Sequence, residues 1–253
     1  SKYMRDIRLF RAWLGERPID KAAVSEYKKA LCERYAAKSV NSMLSSLNAL
    51  FAFTGQHGLR VKTLKIQRRI FADKEKELTK AEYKRLLTAA KKRKNEQLYY
   101  LMQTVASAGL RVSEIQYVTC EAVKCGQAVI SCKGKRRQVF LPKQLCTMLK
   151  AYIKARNIKS GSVFITKTGK PLDRSNIWKM LKGVCKSAAV SRDKVFPHNF
   201  RHLFARTFYS LQKDIVRLAD ILGHSSIETT RIYTMESGEQ HQKMLQKLGL
   251  LRC

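Results

Sequence analysis

The sequence predicts a mainly α chain with a small antiparallel β-sheet, divided into two domains. Apolar residues recur at helical spacing through most of its 253 residues. Period-two alternation takes over only between Ala128 and Pro142, as a β-hairpin requires. A run of cations with little helical periodicity, Arg60 to Lys76, interrupts the pattern and marks a junction, and the length suffices for a core on either side of it.

Residues 1–58 read as a helical module. Tyr3, Ile7, Phe10 and Leu14 fall on one helical face. Val24, Tyr27 and Leu31 continue the pattern within Ile19 to Tyr35, and Met43, Leu44, Leu47, Leu50 and Phe51 within Val40 to Phe53, which Gly55 and Gly58 stop. Residues 59–77 read as a basic linker, in which Lys62, Lys65, Arg68 and Arg69 are candidate contacts to an anionic partner; a merely flexible spacer has the same composition.

The second domain, residues 78–253, opens on a helix start. Thr79 and Glu82 form a capping box that satisfies otherwise orphaned backbone donors, and Leu78 with Tyr83 fits a hydrophobic staple. A helix from Asn95 to Ala108 turns Leu98, Met102 and Val105 inward and ends at Gly109, just before Arg111. In the hairpin, A-V-I-S-C-K reads as one strand and Q-V-F-L-P as the other, with G-K-R-R between them. Lys133 and Lys135 share a face and Arg136 points away; Lys135 and Arg136 join the candidate contacts to an anionic partner. A helix around Leu145 to Ala155, a short strand at Val163 to Ile165, a turn at Gly169 and a helix after Asp173 follow. The last element is an amphipathic helix at about 239–250, carrying Met244, Leu245 and Leu248, which the preceding Ser237-Gly238 joint leaves free to dock on a second protomer or to fold back on its own domain.

Lys and Arg number 51 against 19 Asp and Glu, a net charge of +32 spread along the chain. Such a surplus repels itself in a compact state and suits a polyanionic partner, nucleic acid above all, although a solvated cationic surface reads alike. No apolar run approaches the ~18 residues of a membrane span, and Ser1 to Leu14 lacks a signal peptide's apolar region. The expected location is the cytoplasm, free or associated with the nucleoid. Seven cysteines, an odd number without C-x-x-C, predict free thiols and no zinc site. His198 and His202 stand four apart, but Asn199 holds the place where a zinc protease needs Glu, so no metal is expected there.

The chemistry concentrates between His198 and Tyr233. Arg201 offers a planar fork to two phosphate oxygens, His198 and His224 can donate or relay protons, and Tyr233 offers a phenolic nucleophile. Taken singly, each has an ordinary structural reading. Phosphoryl transfer without a metal needs cations for the transition state, a nucleophile and an acid. Arg111, Lys133, His198, Arg201, His224 and Tyr233 supply all three. The carboxylates Asp193, Asp214, Asp220 and Glu228 are too scattered to suggest a pair holding divalent ions.

In its order and spacing, the set G-L-R-V-S-E at Arg111, K-G-K before Q-V-F-L-P, H-N-F-R-H at His198, L-G-H-S at His224 and Tyr233 nine residues later resembles the tyrosine recombinase (integrase) family. Residues 1–58 are similar to that family's helical core-binding domain, so the resemblance spans nearly the whole chain. It implies that Tyr233 attacks the scissile phosphate to leave a 3′-phosphotyrosyl link, with no cofactor. It further implies that Arg111 and Arg201 clamp the phosphate with His224 as a third donor. His198 then assists proton loss from the tyrosine, Lys133 protonates the departing 5′-oxygen, and Glu114 buffers or orients the site. The implied partners are double-stranded DNA bearing a specific recombination site and three further copies of the chain, in a tetramer that exchanges C-terminal helices. No arm-binding module precedes the first helix, which leaves room for a longer natural chain. A type IB-like topoisomerase and a non-cutting architectural DNA-binding protein remain as alternatives.

Overall fold

The computed structural model describes residues 2–66, 74–132, 135–234, 242 and 245–247, with the backbone alone at 74, 132 and 135. It divides into two compact units, residues 1–69 and 70–253.

The first unit is built on α1 (Lys2–Leu14), α2 (Lys21–Arg34) and α3 (Ala37–Phe53). Asp20 caps α2 by accepting from the Ala23 N–H at 2.7 Å. Phe10, Leu14, Val24, Tyr27, Leu31, Leu44, Leu47 and Phe51 make the core. Tyr3, expected on the inner face of α1, is exposed, and Asp6 is buried instead. Asp6 is tolerated there because Lys2 Nζ, Arg5 Nη2 and Ser46 Oγ donate to its carboxylate at 2.8, 3.0 and 2.8 Å, which pins α1 to α3. The stretch expected to be linker from residue 59 is, in its first part, fixed to this unit. Asn48 and Asn41 on α3 pair with the backbones of Val61 and Leu64, whose side chains pack on the core. Side-chain amides thus replace the periodicity that would have marked the segment as structured.

The second unit runs α4 (Lys80–Lys92), α5 (Glu96–Ala108), α6 (Cys120–Cys125), β1 (Gln127–Cys132), β2 (Lys135–Phe140), α7 (Lys143–Ala155), α8 (Arg174–Ala188), α9 (Pro197–Gln212), α10 (Ile215–Leu222) and the short α11 (Ile227–Thr230). The capping box at Thr79 and Glu82 forms, with both bonds present, and Leu78 and Tyr83 join the core. Asn95 caps α5, and Gly109 ends it in the left-handed conformation. A Cβ at Gly109 would stand 2.6 Å from the Phe204 ring, so glycine also lets α9 close on α5. Buried Asn199 ties α9 to the carbonyls of Lys76 and Lys194, an anchoring use for the residue that interrupts the zinc-type spacing.

β1 and β2 pair antiparallel, Gln127 opposite Phe140 and Cys132 opposite Lys135. The second strand therefore begins at Lys135 and not at Gln138, which takes Arg136 and Arg137 out of the expected turn. Arg136 is exposed. The strand expected at Val163 to Ile165 does not form; isolated bridges join Thr119 to Ser162 and Ile165 to Pro171, while Val163 and Phe164 are buried between them. Its apolar run marks core, and three residues are too few to build a ladder. Cys32, Cys120, Cys125, Cys146 and Cys185 carry free thiols. No helix among the described residues is long and apolar enough to cross a membrane. Arg68, Arg69, Lys133 and most of the segment 239–250 lie outside the described residues, as does the side chain of Lys135.

Candidate active site

Three arginines meet at the C-terminal end of α10. A helix end leaves its last carbonyls without partners and carries partial negative charge. Here three successive carbonyls are each taken by a different guanidinium: Arg137 Nη1 donates to Ile221 O at 2.6 Å, Arg201 Nη2 to Leu222 O at 2.7 Å and Arg111 Nη2 to Gly223 O at 3.3 Å. Glu114 faces the same three cations. Its carboxylate accepts from Arg111 Nη1 at 2.8 Å and Arg137 Nη2 at 2.7 Å, and lies 3.9 Å from Arg201 Nη1. It also accepts from the Arg111 backbone N–H at 2.7 Å, closing the 3-10 turn Val112–Tyr117 on which it sits. Burial pushes the Glu114 carboxyl up, but the Arg111 backbone bond and the Arg137 and Arg111 charges more than offset this and hold it below the usual carboxylate value. Three guanidiniums around one carboxylate leave a local cationic surplus, the condition for receiving an anion.

Arg201 is wholly buried on α9. Its Nη1 also donates to Gly109 O at 2.5 Å, so both ends of its fork are engaged, while its Nε has no partner among the described residues. Desolvation, with Arg111 nearby, lowers its pKa to about 10, and the opposing Tyr233 phenol resists that shift; the group stays charged at neutral pH.

His224 follows Gly223, whose φ of 62° ends α10 in the left-handed region. A Cβ at Gly223 would collide with Arg137 Cδ and stand 2.8 Å from Arg137 Nε, so glycine is required twice over. His224 Nε2 lies 3.0 Å from Arg201 Nη2, and its Nδ1 2.8 Å from Thr230 Oγ1. Arginine only donates, so the network assigns Nε2 as acceptor and places the proton on Nδ1. In this state His224 is neutral and holds Arg201 instead of offering a proton to an anion.

Tyr233 sits in the 3-10 turn Arg231–Tyr233 with 3% of its surface exposed. Its ring lies edge-on to His202, with centroids 4.7 Å apart, and stacks on His224 at 6.0 Å; His198 contacts His202 in turn at 4.6 Å. The residues predicted from the motifs thus come together at Arg111, Glu114, Arg201, His224 and Tyr233, with His198 one ring further out. Sequence reasoning missed His202, which intervenes between His198 and Tyr233, and Arg137. Parity on β2 could have found Arg137, because it alternates inward with apolar Val139 and Leu141. Exposed Lys62 and Lys65 lie in the first unit, where Lys28 Nζ bonds Lys62 O.

Desolvation, then neighbouring cations, lowers His198; desolvation, with His198 and Arg201, lowers His202 to about 4; desolvation, with Arg201, Arg111, Arg137 and His198, lowers His224 to about 4. Unfolded histidine titrates near ~6.5, so below that pH the unfolded chain binds more protons than the folded one. The stability from these depressed values is present above pH ~6.5 and is lost as pH falls toward ~4. The urea midpoint is expected to drop between pH 7 and 5, with the drop flattened in His202→Asn and His224→Asn. A midpoint unchanged over that range in the parent protein would contradict the buried neutral histidines.

Comparison with known proteins adds to this geometry. The profile of the phage integrase family matches residues 76–240, and that of the phage integrase N-terminal SAM-like domain matches residues 1–58. The chain is 32% identical over 227 residues to tyrosine recombinase XerA of Thermococcus kodakarensis, covering 86% of this chain and 77% of the relative. It is 30% identical to tyrosine recombinase XerD of Xanthomonas campestris pv. campestris, covering 97% and 84%. Its fold resembles that of the XerH site-specific recombinase in a post-cleavage complex with palindromic difH substrate, with a TM-score of 0.72, 19% identity and coverage of 91% and 73%.

Proposed function

The chain belongs to the phage integrase family, the tyrosine recombinases, and we propose that it cuts and rejoins DNA strands at a specific site through a 3′-phosphotyrosyl link at Tyr233. The observation that carries this reading is the convergence of Arg111, Arg201, His224 and Tyr233 on one cationic centre. The carbonyls at the end of α10 occupy donors suited to phosphate oxygens. A scissile phosphate brings full negative charge where those carbonyls offer partial charge, and so competes for the guanidiniums. Arg111, half-buried and held to Gly223 O at 3.3 Å, is the first to be released. Phosphate at His224 favours its protonated form, turning Nε2 from acceptor into donor.

Tyr233 must then leave its shielded position. Its phenolic oxygen bonds to phosphorus as the bond to the 5′-oxygen breaks; the phenolic proton passes toward His198, and the 5′-oxygen takes one from Lys133. The link conserves the phosphoester, so rejoining is the same step reversed with another 5′-hydroxyl. Four protomers assemble on two duplexes, each lending its C-terminal helix, about 239–250, to a neighbour, and the reaction takes place on cytoplasmic, nucleoid DNA of a bacterium or its mobile element. Lys62, Lys65, Arg68, Arg69, Lys135 and Arg136 serve the phosphate backbone.

A nicked duplex that loses the short strand after cleavage traps the link. An SDS-stable protein–DNA band on a duplex recovered by selection from a random pool, together with no relaxation of a plasmid lacking that site, supports recombination. Absence of the band on every selected duplex opposes it. The acid has its own signature: general acids typically contribute 10² to 10⁴ in rate, and a thiolate leaves without one. Lys133→Ala is expected to cleave ordinary DNA slowly and to recover on DNA with sulfur at the bridging 5′ position. Recovery by Lys135→Ala instead would move the acid to Lys135.

A further inference from the structure

Arg137 is the cation of the cluster that no motif marked, and it is more fully committed to the protein than Arg111. Its side chain is 17% exposed, against 38% for Arg111. One end of its fork holds Glu114, which in turn orients Arg111; the other holds Ile221 O, while its stem lies against Gly223, the residue before His224. Two of the groups proposed to meet the phosphate, Arg111 on its 3-10 turn and His224 after α10, are therefore braced by one planar guanidinium. No lysine spans both partners in that way. Burying a cation is costly, and an apolar side chain would fill the space more cheaply if packing were the whole purpose.

We infer that Arg137 is a positioning residue for strand cleavage, holding Glu114 and the Gly223 turn at a fixed separation so that Arg111 and His224 present themselves to the phosphate together. It acts through those two residues and does not touch the DNA. The inference rests on the proposed cleavage at Tyr233, and one arm of its test is independent of DNA.

The test compares Arg137→Ala and Arg137→Lys with the parent, alone and combined with Glu114→Gln, on the nicked duplex recovered by selection. Arg137→Ala is expected to form the covalent band about 10- to 100-fold more slowly, the range typical of losing a group that orients a metal ligand, with the salt slope of binding unchanged. A direct phosphate contact would instead reduce that slope by about 1 and weaken binding to all sequences alike. In the Glu114→Gln background the further loss is expected to be much smaller, because both changes act through one carboxylate. Arg137→Lys is expected to fall between alanine and the parent.

The DNA-free arm follows the His224 ring by NMR. Arg201, Arg111, Arg137 and His198 face this imidazole, and Thr230 bonds it. Its titration is expected to move up in Arg137→Ala and to stay low in Arg137→Lys, which a generally loosened fold would not separate. Should Arg137→Ala fail to fold, the lysine variant decides: slowed adduct formation with a low His224 titration supports the inference. Parent-like cleavage in either variant, a reduced salt slope, or full additivity with Glu114→Gln overturns it. If the parent itself forms no adduct, the proposed cleavage fails, and an unmoved His224 titration in Arg137→Ala then rejects the bracing role separately.

Discussion

Tyr233→Phe is expected to abolish strand cleavage while leaving duplex binding close to that of the parent. The substitution removes one oxygen and keeps the ring that packs edge-on to His202 and stacks on His224. Neither the core contact nor the cationic centre depends on that oxygen to fold, although Arg201 loses a group that favours its charged form. The hydroxyl of Thr230 on α11 is buried and bonded to His224 Nδ1, so it is not free to substitute. Adduct formation on the nicked duplex and a gel shift on the intact one measure the two effects. A phenylalanine variant that still forms the adduct would place the nucleophile elsewhere.

Arg201→Lys is expected to slow cleavage by about 10² to 10³, the loss typical of removing one preorganised charge-stabilising donor. Lysine keeps the charge but not the fork. It can reach one partner among Gly109 O, Leu222 O and His224 Nε2, whereas arginine reaches all three. Alanine at 201 carries a second cost, since each buried carbonyl left without a donor destabilises the fold by about 1–3 kcal/mol. Lysine is therefore the better probe of chemistry, and alanine of stability. Single-turnover cleavage and urea midpoints for both variants separate the two. Equal cleavage by Arg201→Lys and the parent would mean that the fork never holds the phosphate. The sulfur substitution that relieves Lys133→Ala is not expected to relieve Arg201→Lys, because the deficit lies in charge placement and not in the proton.

Much of this was legible in the chain itself. Caps are local, so Thr79 with Glu82 and Gly109 after α5 could be read without tertiary information. The order and spacing of Arg111, Lys133, His198, Arg201, His224 and Tyr233 resemble those of the tyrosine recombinase family, and that resemblance implied a shared site. What could not be read depends on packing between distant elements. Arg137 meets Glu114 and Ile221 across 23 and 84 residues of chain, and a strand's parity tells which way a side chain points but not what it reaches. Asp6 displaces Tyr3 from the core through partners on α1 and α3 that no periodicity reveals. The segment after residue 59 looked unstructured because asparagine amides on α3, not an apolar stripe, fix Val61 and Leu64.

The central claim is that one phenolic oxygen, on Tyr233, takes the phosphate. Trapping the adduct on the nicked duplex, digesting it with trypsin and nuclease, and sequencing the nucleotide-bearing peptide by mass spectrometry tests it most directly. Cleavage after Arg231 and Lys243 gives a peptide spanning residues 232–243, in which Tyr233 is the sole tyrosine. The expected result is a 3′-nucleotide on that peptide, at Tyr233. A nucleotide on any other residue, or an adduct that survives in Tyr233→Phe, would contradict it.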